Sequence, residues 1–463
     1  MKSKSTRISD TLPFAWQDQP WLDFRKQIAD FPRGQLPIPL NIYEVHLETF
    51  HQANGGESIS FGHGADMLAP YAKHMGYTHI ELFGVMDLPS MVPSAFLGGE
   101  EQFCNLVNHL HRCGLGVFIR VPLIFERGHN QAQSDYYLLA LLRWIEQYHV
   151  DGIHIKTEIQ IGMDMPTVLS AIADLVAKIK QKHPDILMMD EGLDNASLPV
   201  EEGGLGYDLQ WSLEWRNALA EYLSLPPYER KEQHKKLVHS IHSDSGRGFI
   251  LPLSHSFVAK GNKSLLAKAE GSYEEKFSQF KTAFMLNMTR PGKKLMFMGN
   301  EYGPFTEWDR SNPLEWYMLD FPAHRAVREY VAAFNRFYLT APELWELDDS
   351  EEGSKWIYPF EAEKNFVAYK RFCRSGSKLI VVLSFSDDTT EELIPAKGGC
   401  RYEYVFETAN NGQAKPPIYP VARTTQQEGK RKTKLTEWQL SLTLPPMSGI
   451  ILRECEDSDK TIY

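Results

Sequence analysis

The chain has 463 residues, of which 43% are hydrophobic and 24% charged, and its formal net charge is −11. That length exceeds one compact core and suits a barrel of about 250 residues or more followed by a second domain. The negative charge argues against nucleic acid or an acidic membrane surface as a partner and leaves neutral polymers open as ligands.

Five cysteines without CxxC spacing suggest neither a disulfide framework nor a zinc site, and fit a reducing cytoplasm. The opening MKSKSTRISD has no apolar h-region, and no stretch of about 18 apolar residues follows, so neither secretion nor membrane insertion is expected. No Gly-rich phosphate loop or metal-ligand cluster calls for a cofactor.

Residues 1–36 read as a lead-in in which Trp16, Trp21 and Phe24 are spaced to clamp a short helix onto a larger body. Eight strand-like runs follow: LPIPLNIYEVHL (36–47), THIELFGV (78–85), GVFIRVP (116–122), GIHIKT (152–157), DILMMDE (185–191), DLQWSL (208–213), FILPLSH (249–255) and KLMFMGNE (294–301). Helical spacing lies between most of them, as in GADMLAPYAKHMG and in the stretches Glu101–Cys113, Tyr136–Tyr148 and Met165–Lys182. The pattern predicts an α/β fold, a (β/α)8 barrel over 37–342.

From Glu343 the texture changes to short alternating runs such as NFVAYKRF, KLIVVLSF and WQLSLTLPP, which predicts an antiparallel β-sandwich over 343–455. A polar tail closes the chain at 456–463, and the basic run KRKTK at 430–434 reads as a solvated hairpin loop.

Chemistry centres on DGIHIKTE, Asp151–Glu158, the fourth strand, which puts His154 and Lys156 at the carboxyl end where barrels keep their reactive groups. His154 reads as a packed, hydrogen-bonded histidine in preference to a base. Trp211, Trp215 and Trp308 are candidates for stacking on sugar rings, with core packing as the alternative for each.

The motifs NIYEVHL, YAKHMGYTHIEL, GGLGYDLQWSLEW, LPLSH, PGKKLMFMGNEYG and LSLTLPP resemble glycogen branching enzymes, the α-1,4-glucan 6-glycosyltransferases of the α-amylase superfamily. The resemblance runs in register from Phe14 to Arg453. It implies a barrel followed by an all-β domain, with glycogen or a related α-glucan or maltooligosaccharide as ligand. It also marks departures. The family usually carries a β-sandwich ahead of the barrel, whereas here FAWQDQPW, which resembles the segment leading into the barrel, begins almost at the amino terminus, and the loops after strands two and three are abbreviated.

At the site, the family's strand-three Asp aligns with Arg120, and the His that follows it aligns with Ile124 or Phe125. The strand-four Arg-x-Asp, whose Asp is the nucleophile, reads His154-Ile155-Lys156. The acid/base Glu aligns with Asp190, Glu191 being its neighbour, and the strand-seven His-Asp pair reads His255-Ser256.

Retaining glycosyl transfer needs two carboxyl groups about 5–5.5 Å apart, and a protonated lysine has no lone pair with which to attack. Asp190 and Glu191 are adjacent on a strand and point to opposite faces. Asp164, Asp87 and Glu301 are the other loop carboxylates within sight of the mouth, Asp87 and Glu301 reading more simply as solvated residues or backbone caps. Lys156 is expected to pair with Asp190.

Two functions follow. One is a non-catalytic relative that binds glucan or a protein partner. The other is an active transferase or hydrolase with relocated carboxylates.

Overall fold

The computed structural model describes residues 14–32, 35–51, 59–243, 248–358, 362–409, 415–427 and 433–456. Residues 430–432 of the basic run, 457–463 of the tail and the opening MKSKSTRISD lie outside the described residues.

Among the described residues ten strands precede the C-terminal region: β1 (Asn41–His46), β2 (His79–Phe83), β3 (Met86–Asp87), β4 (Val92–Pro93), β5 (Gly116–Phe125), β6 (Gly152–Ile159), β7 (Leu187–Asp190), β8 (Leu209–Trp211), β9 (Phe249–Leu253) and β10 (Lys293–Phe297). Eight of them, all except the β3–β4 hairpin, close a parallel barrel in the order β1-β10-β9-β8-β7-β6-β5-β2. These are the eight segments expected from sequence.

The intervening helices begin where the sequence supplies caps. Ser60 accepts from His63 N ahead of Phe61–Met75, and Asn130 with Gln133 forms a capping box ahead of Gln131–Glu146. By internal contact the chain groups into two compact units, Met1–Gly34 with Ile42–Trp211 and Arg310–Leu314, and Gln35–Asn41 with Ser212–Asp309 and Glu315–Tyr463.

In the first unit the start of β6 is fixed by a buried polar cluster. Asp151 accepts from Val117 N at 2.6 Å, Trp21 Nε1 at 2.8 Å and Arg25 Nη1 at 3.2 Å. Its second oxygen lies 2.9 Å from His111 Nε2, and His111 Nδ1 lies 2.9 Å from Asp18. With a carboxylate at each ring nitrogen, the imidazolium is the form that satisfies both. Burial pulls His111 down, but Asp151 and Asp18 outweigh it and hold the ring above its ordinary range.

The cluster seats the lead-in helix Gln19–Arg25. Trp21 stacks on the His111 ring and Trp16 on His149, while Phe24, about half exposed, lies against Trp21 with ring centroids 5.4 Å apart. Gly152 follows because a Cβ there would collide with the Phe118 ring.

In the second unit the expected all-β region forms two antiparallel sheets. One comprises β11 (Ser354–Tyr358), β12 (Phe366–Phe372), β13 (Lys378–Ser384), β15 (Cys400–Glu407) and β18 (Ser448–Glu456), and the other β14 (Thr390–Ala396), β16 (Val421–Gln427) and β17 (Thr433–Leu444). Phe366, Ile380, Val382, Leu440, Leu442 and Leu452 share the buried core of these strands. A buried ionic chain ties this region to neighbouring elements of its unit. Arg371 on β12 donates to Thr289 O at 2.8 Å and pairs with Asp348 at 2.7 Å, and Asp348 lies 3.3 Å from Lys293 Nζ at the start of β10.

Candidate functional site

Parallel register fixes which side chains face the barrel interior, since paired residues on adjacent strands point the same way. Glu44 pairs with Glu81, Arg120 with His154, and His154 with Met189. The inward set is therefore charged. Arg120 lies 3.2 Å from Glu44 Oε1 and pairs through its other terminal nitrogen with Glu191. His154 Nδ1 is 2.7 Å from Glu81 Oε1. The Trp211 ring lies 5.3 Å from the guanidinium carbon and 4.8 Å from the His154 ring. All of these groups are buried except Glu191, which is partly exposed.

The expected pair of Lys156 with Asp190 is not formed. Asp190 is in register with Ile155 on one side and Gln210 on the other, so it sits on the face opposite His154 and Lys156. Its carboxylate turns back to accept from Gly192 N and Leu193 N, both at 2.7 Å, an Asx turn. Burial pushes its pKa up to about 6 against those two donors. Lys156 is exposed and lies 3.2 Å from Glu158, near the carboxyl end of the same strand.

The inward carboxylate after β7 is thus Glu191, which sequence reasoning set beside Asp190 without preferring it. The rule that neighbours alternate was available, but the run LMMDE is apolar and acidic without alternation and does not reveal its own parity.

The other carboxylates under consideration have structural tasks or are shut in. Asp164 caps the helix Met165–Lys182 by accepting from Thr167 N at 3.1 Å. Asp87 accepts from Ala95 N at 2.9 Å. Glu301 is fully buried, contrary to the expectation of a solvated residue. At the positions matched to the strand-three His, Phe125 is buried and Ile124 exposed.

Within the second unit, Ser256 follows β9 in a short helix, His255–Val258. Arg216 Nη1 donates to Ser256 Oγ at 3.0 Å, and Ser254 Oγ is also 3.0 Å away. The guanidinium therefore stands against the residue that replaces the family's acid. His255 meets the partly exposed Trp308 edge-on at 5.8 Å, and Phe297 supports that indole at 5.0 Å.

The three tryptophans differ. Trp215 is fully buried, with its Nε1 donating to Asn287 at 2.8 Å and the Arg290 guanidinium 4.1 Å from its ring, so it is a core residue and offers no face to a sugar. Trp211 is likewise buried over Arg120. Trp308 keeps an accessible surface. Among the described residues no group of three or more His, Cys, Asp or Glu is placed to hold a metal ion, and no helix is long and apolar enough to cross a membrane.

No family model matches the chain. The 1,4-alpha-glucan branching enzyme of Nitrosomonas europaea is 27% identical over 96% of this chain and 68% of its own length. The branching enzyme of Aquifex aeolicus is 27% identical over 96% and 80%, and that of Bacillus caldolyticus 28% over 96% and 75%.

Among solved structures, a putative alpha amylase from Salmonella typhimurium aligns with a TM-score of 0.65 at 15% identity, covering 97% of this chain and 85% of its own. The alpha-amylase of Geobacillus thermoleovorans aligns with a TM-score of 0.65 at 13% identity, covering 90% and 99%. These two share the fold. With the likeness extending over nearly the whole chain, this protein is similar in sequence to 1,4-alpha-glucan branching enzymes and shares the fold of the alpha-amylases.

Proposed function

We propose that the chain serves α-glucan metabolism in the cytoplasm as a non-catalytic member of its family, binding a glucan or a protein partner without making or breaking glycosidic bonds. The observation that carries this reading is the occupied barrel centre. Arg120 lies between Glu44 and Glu191, and Lys156 stands where the family's nucleophile would be. A carboxylate held by a guanidinium is a poor nucleophile and a poor proton donor, and an inward arginine fills space that an anomeric carbon would need. Five free cysteines agree with a reducing compartment.

Trp308 is the stacking platform this reading assigns to the glucan. A neutral polymer gains nothing from the −11 net charge, so affinity for maltoheptaose should vary little with salt and fall at least tenfold in Trp308→Ala.

A second reading draws on the same guanidinium. Two carboxylates bridged by one arginine resemble the paired acids of glycosidases, and displacement of Arg120 by substrate would release them. Iodine staining and reducing-end assays on amylose separate the two. The first reading expects no change with time. Turnover that survives repurification and vanishes in Glu191→Gln would establish the second.

A further inference from the structure

One face of the barrel mouth is apolar and uncovered among the described residues. Ile161 is 92% exposed and Phe96 74%, and Leu88, Ile124, Tyr136 and Met165 are also exposed. All belong to the first unit; Ile124 lies at the end of β5, and the others belong to the segments that follow β2, β5 and β6. Isolated exposed apolar residues are ordinary, but several from successive mouth segments mark an interaction surface.

The segments are held to one another. Tyr136 Oη donates to Pro89 O at 2.6 Å and Tyr137 Oη to Ile124 O at 2.8 Å. Gln160 N donates to Phe125 O at 2.9 Å and Arg127 N to Gln160 Oε1 at 3.0 Å. The ridge is therefore preformed, and little ordering opposes binding.

The charges on the same segments select the partner. Asp87, Glu126, Asp135, Glu158 and Asp164 outnumber Arg127 and Lys156, and Glu158 already neutralises Lys156. A second copy would bring the same acidic rim and a second net charge of −11. A glucan needs a flat aromatic face with outward hydrogen-bonding groups, whereas here the apolar groups are largely aliphatic and both tyrosine hydroxyls named above are spent within the ridge. We propose that this ridge docks a segment of another protein that presents apolar side chains flanked by lysine and arginine. This docking is independent of whether the barrel binds glucan.

The test uses the full chain and two labelled amphipathic helical peptides, one of leucine and lysine, the other of leucine and glutamate, read by fluorescence anisotropy. The leucine–lysine peptide should bind at least tenfold more tightly than its twin and weaken as salt rises. Phe96→Ser with Ile161→Ser should lower that affinity at least tenfold while the melting temperature stays unchanged, because both side chains are solvent-facing. Equal binding of the two peptides, or equal binding by wild type and the double variant, would overturn the proposal. So would a concentration-dependent dimer in sedimentation that the double variant abolishes, which would give the ridge to a second copy.

Discussion

Replacing Arg120 with methionine removes the cation from the centre of the barrel while keeping most of the volume of its stem. Glu44 is fully buried and holds the guanidinium at 3.2 Å, so the substitution takes this countercharge away from a buried carboxylate. Breaking a buried pair from one side costs about 3–5 kcal/mol, and losing the guanidinium over Trp211 adds about 1. Glu191 contributes less, because its partial exposure lets water take the place of the arginine.

The companion variant Arg120→Met with Glu44→Gln removes the buried negative charge as well and should recover at least about 2 kcal/mol of that loss. Urea unfolding at pH 7, followed by tryptophan fluorescence and far-UV dichroism, measures both. A single variant within about 1 kcal/mol of wild type, or a double variant no more stable than the single, would refute the view that an ion-paired plug occupies this barrel. Amylose turnover gained by the single variant would show instead that arginine alone silences an intact pair of acids.

Lys156→Ala should change stability by less than about 0.5 kcal/mol, because its exposed pair with Glu158 is of the kind that contributes little; a loss of several kcal/mol in the same unfolding assay would imply a buried partner. Asp190→Asn should stabilise the protein at pH 7.5 by about 1–2 kcal/mol, with the gain fading towards pH 4. The folded pKa of about 6 lies above the ordinary 3.8, so ionisation opposes folding as pH rises through that window. A wild type more stable than the variant at pH 7.5 would contradict this. His111 has the opposite sign. Its raised pKa gives a contribution fully present below the ordinary histidine value and lost as pH rises through the folded one, while Asp18 and Asp151, both depressed, lose theirs as pH falls through their folded values. Arg25, His79 and His149 face the same cluster. Protease cleavage within the lead-in should therefore accelerate on the alkaline side, and a His111 ring that titrates by NMR at or below the ordinary range would dismiss the idea.

The barrel was legible because its strands are short apolar runs set between helical spacings, with DGIHIKTE carrying a glycine that only close packing against Phe118 requires. The site was less so. Spacing places Lys156 at a strand end, whereas β6 runs on to Ile159, and pairing Lys156 with Asp190 requires knowing which way β7 faces; a strand of four residues carries no alternation from which to read that. The cluster around Asp151 was invisible for another reason. An aspartate before a glycine reads as a turn, and its partners Asp18, Arg25 and His111 are remote in sequence. Arg120 was identified as a replacement, yet its role as a bridge between two carboxylates depends on register alone.

The chain from Arg371 through Asp348 to Lys293 bears on how this protein can be shortened. A cut before β11 would remove Arg371 and leave Asp348 and Lys293 behind, and Lys293 would keep carbonyl contacts to Ile38 and Trp345 that were set with the whole group in place. Thr289 O would lose its donor at the same time. The terminal sheets therefore cannot be trimmed as a detachable module; a fragment ending near residue 350 should express poorly and expose the start of β10 to misfolding, whatever the intact chain binds.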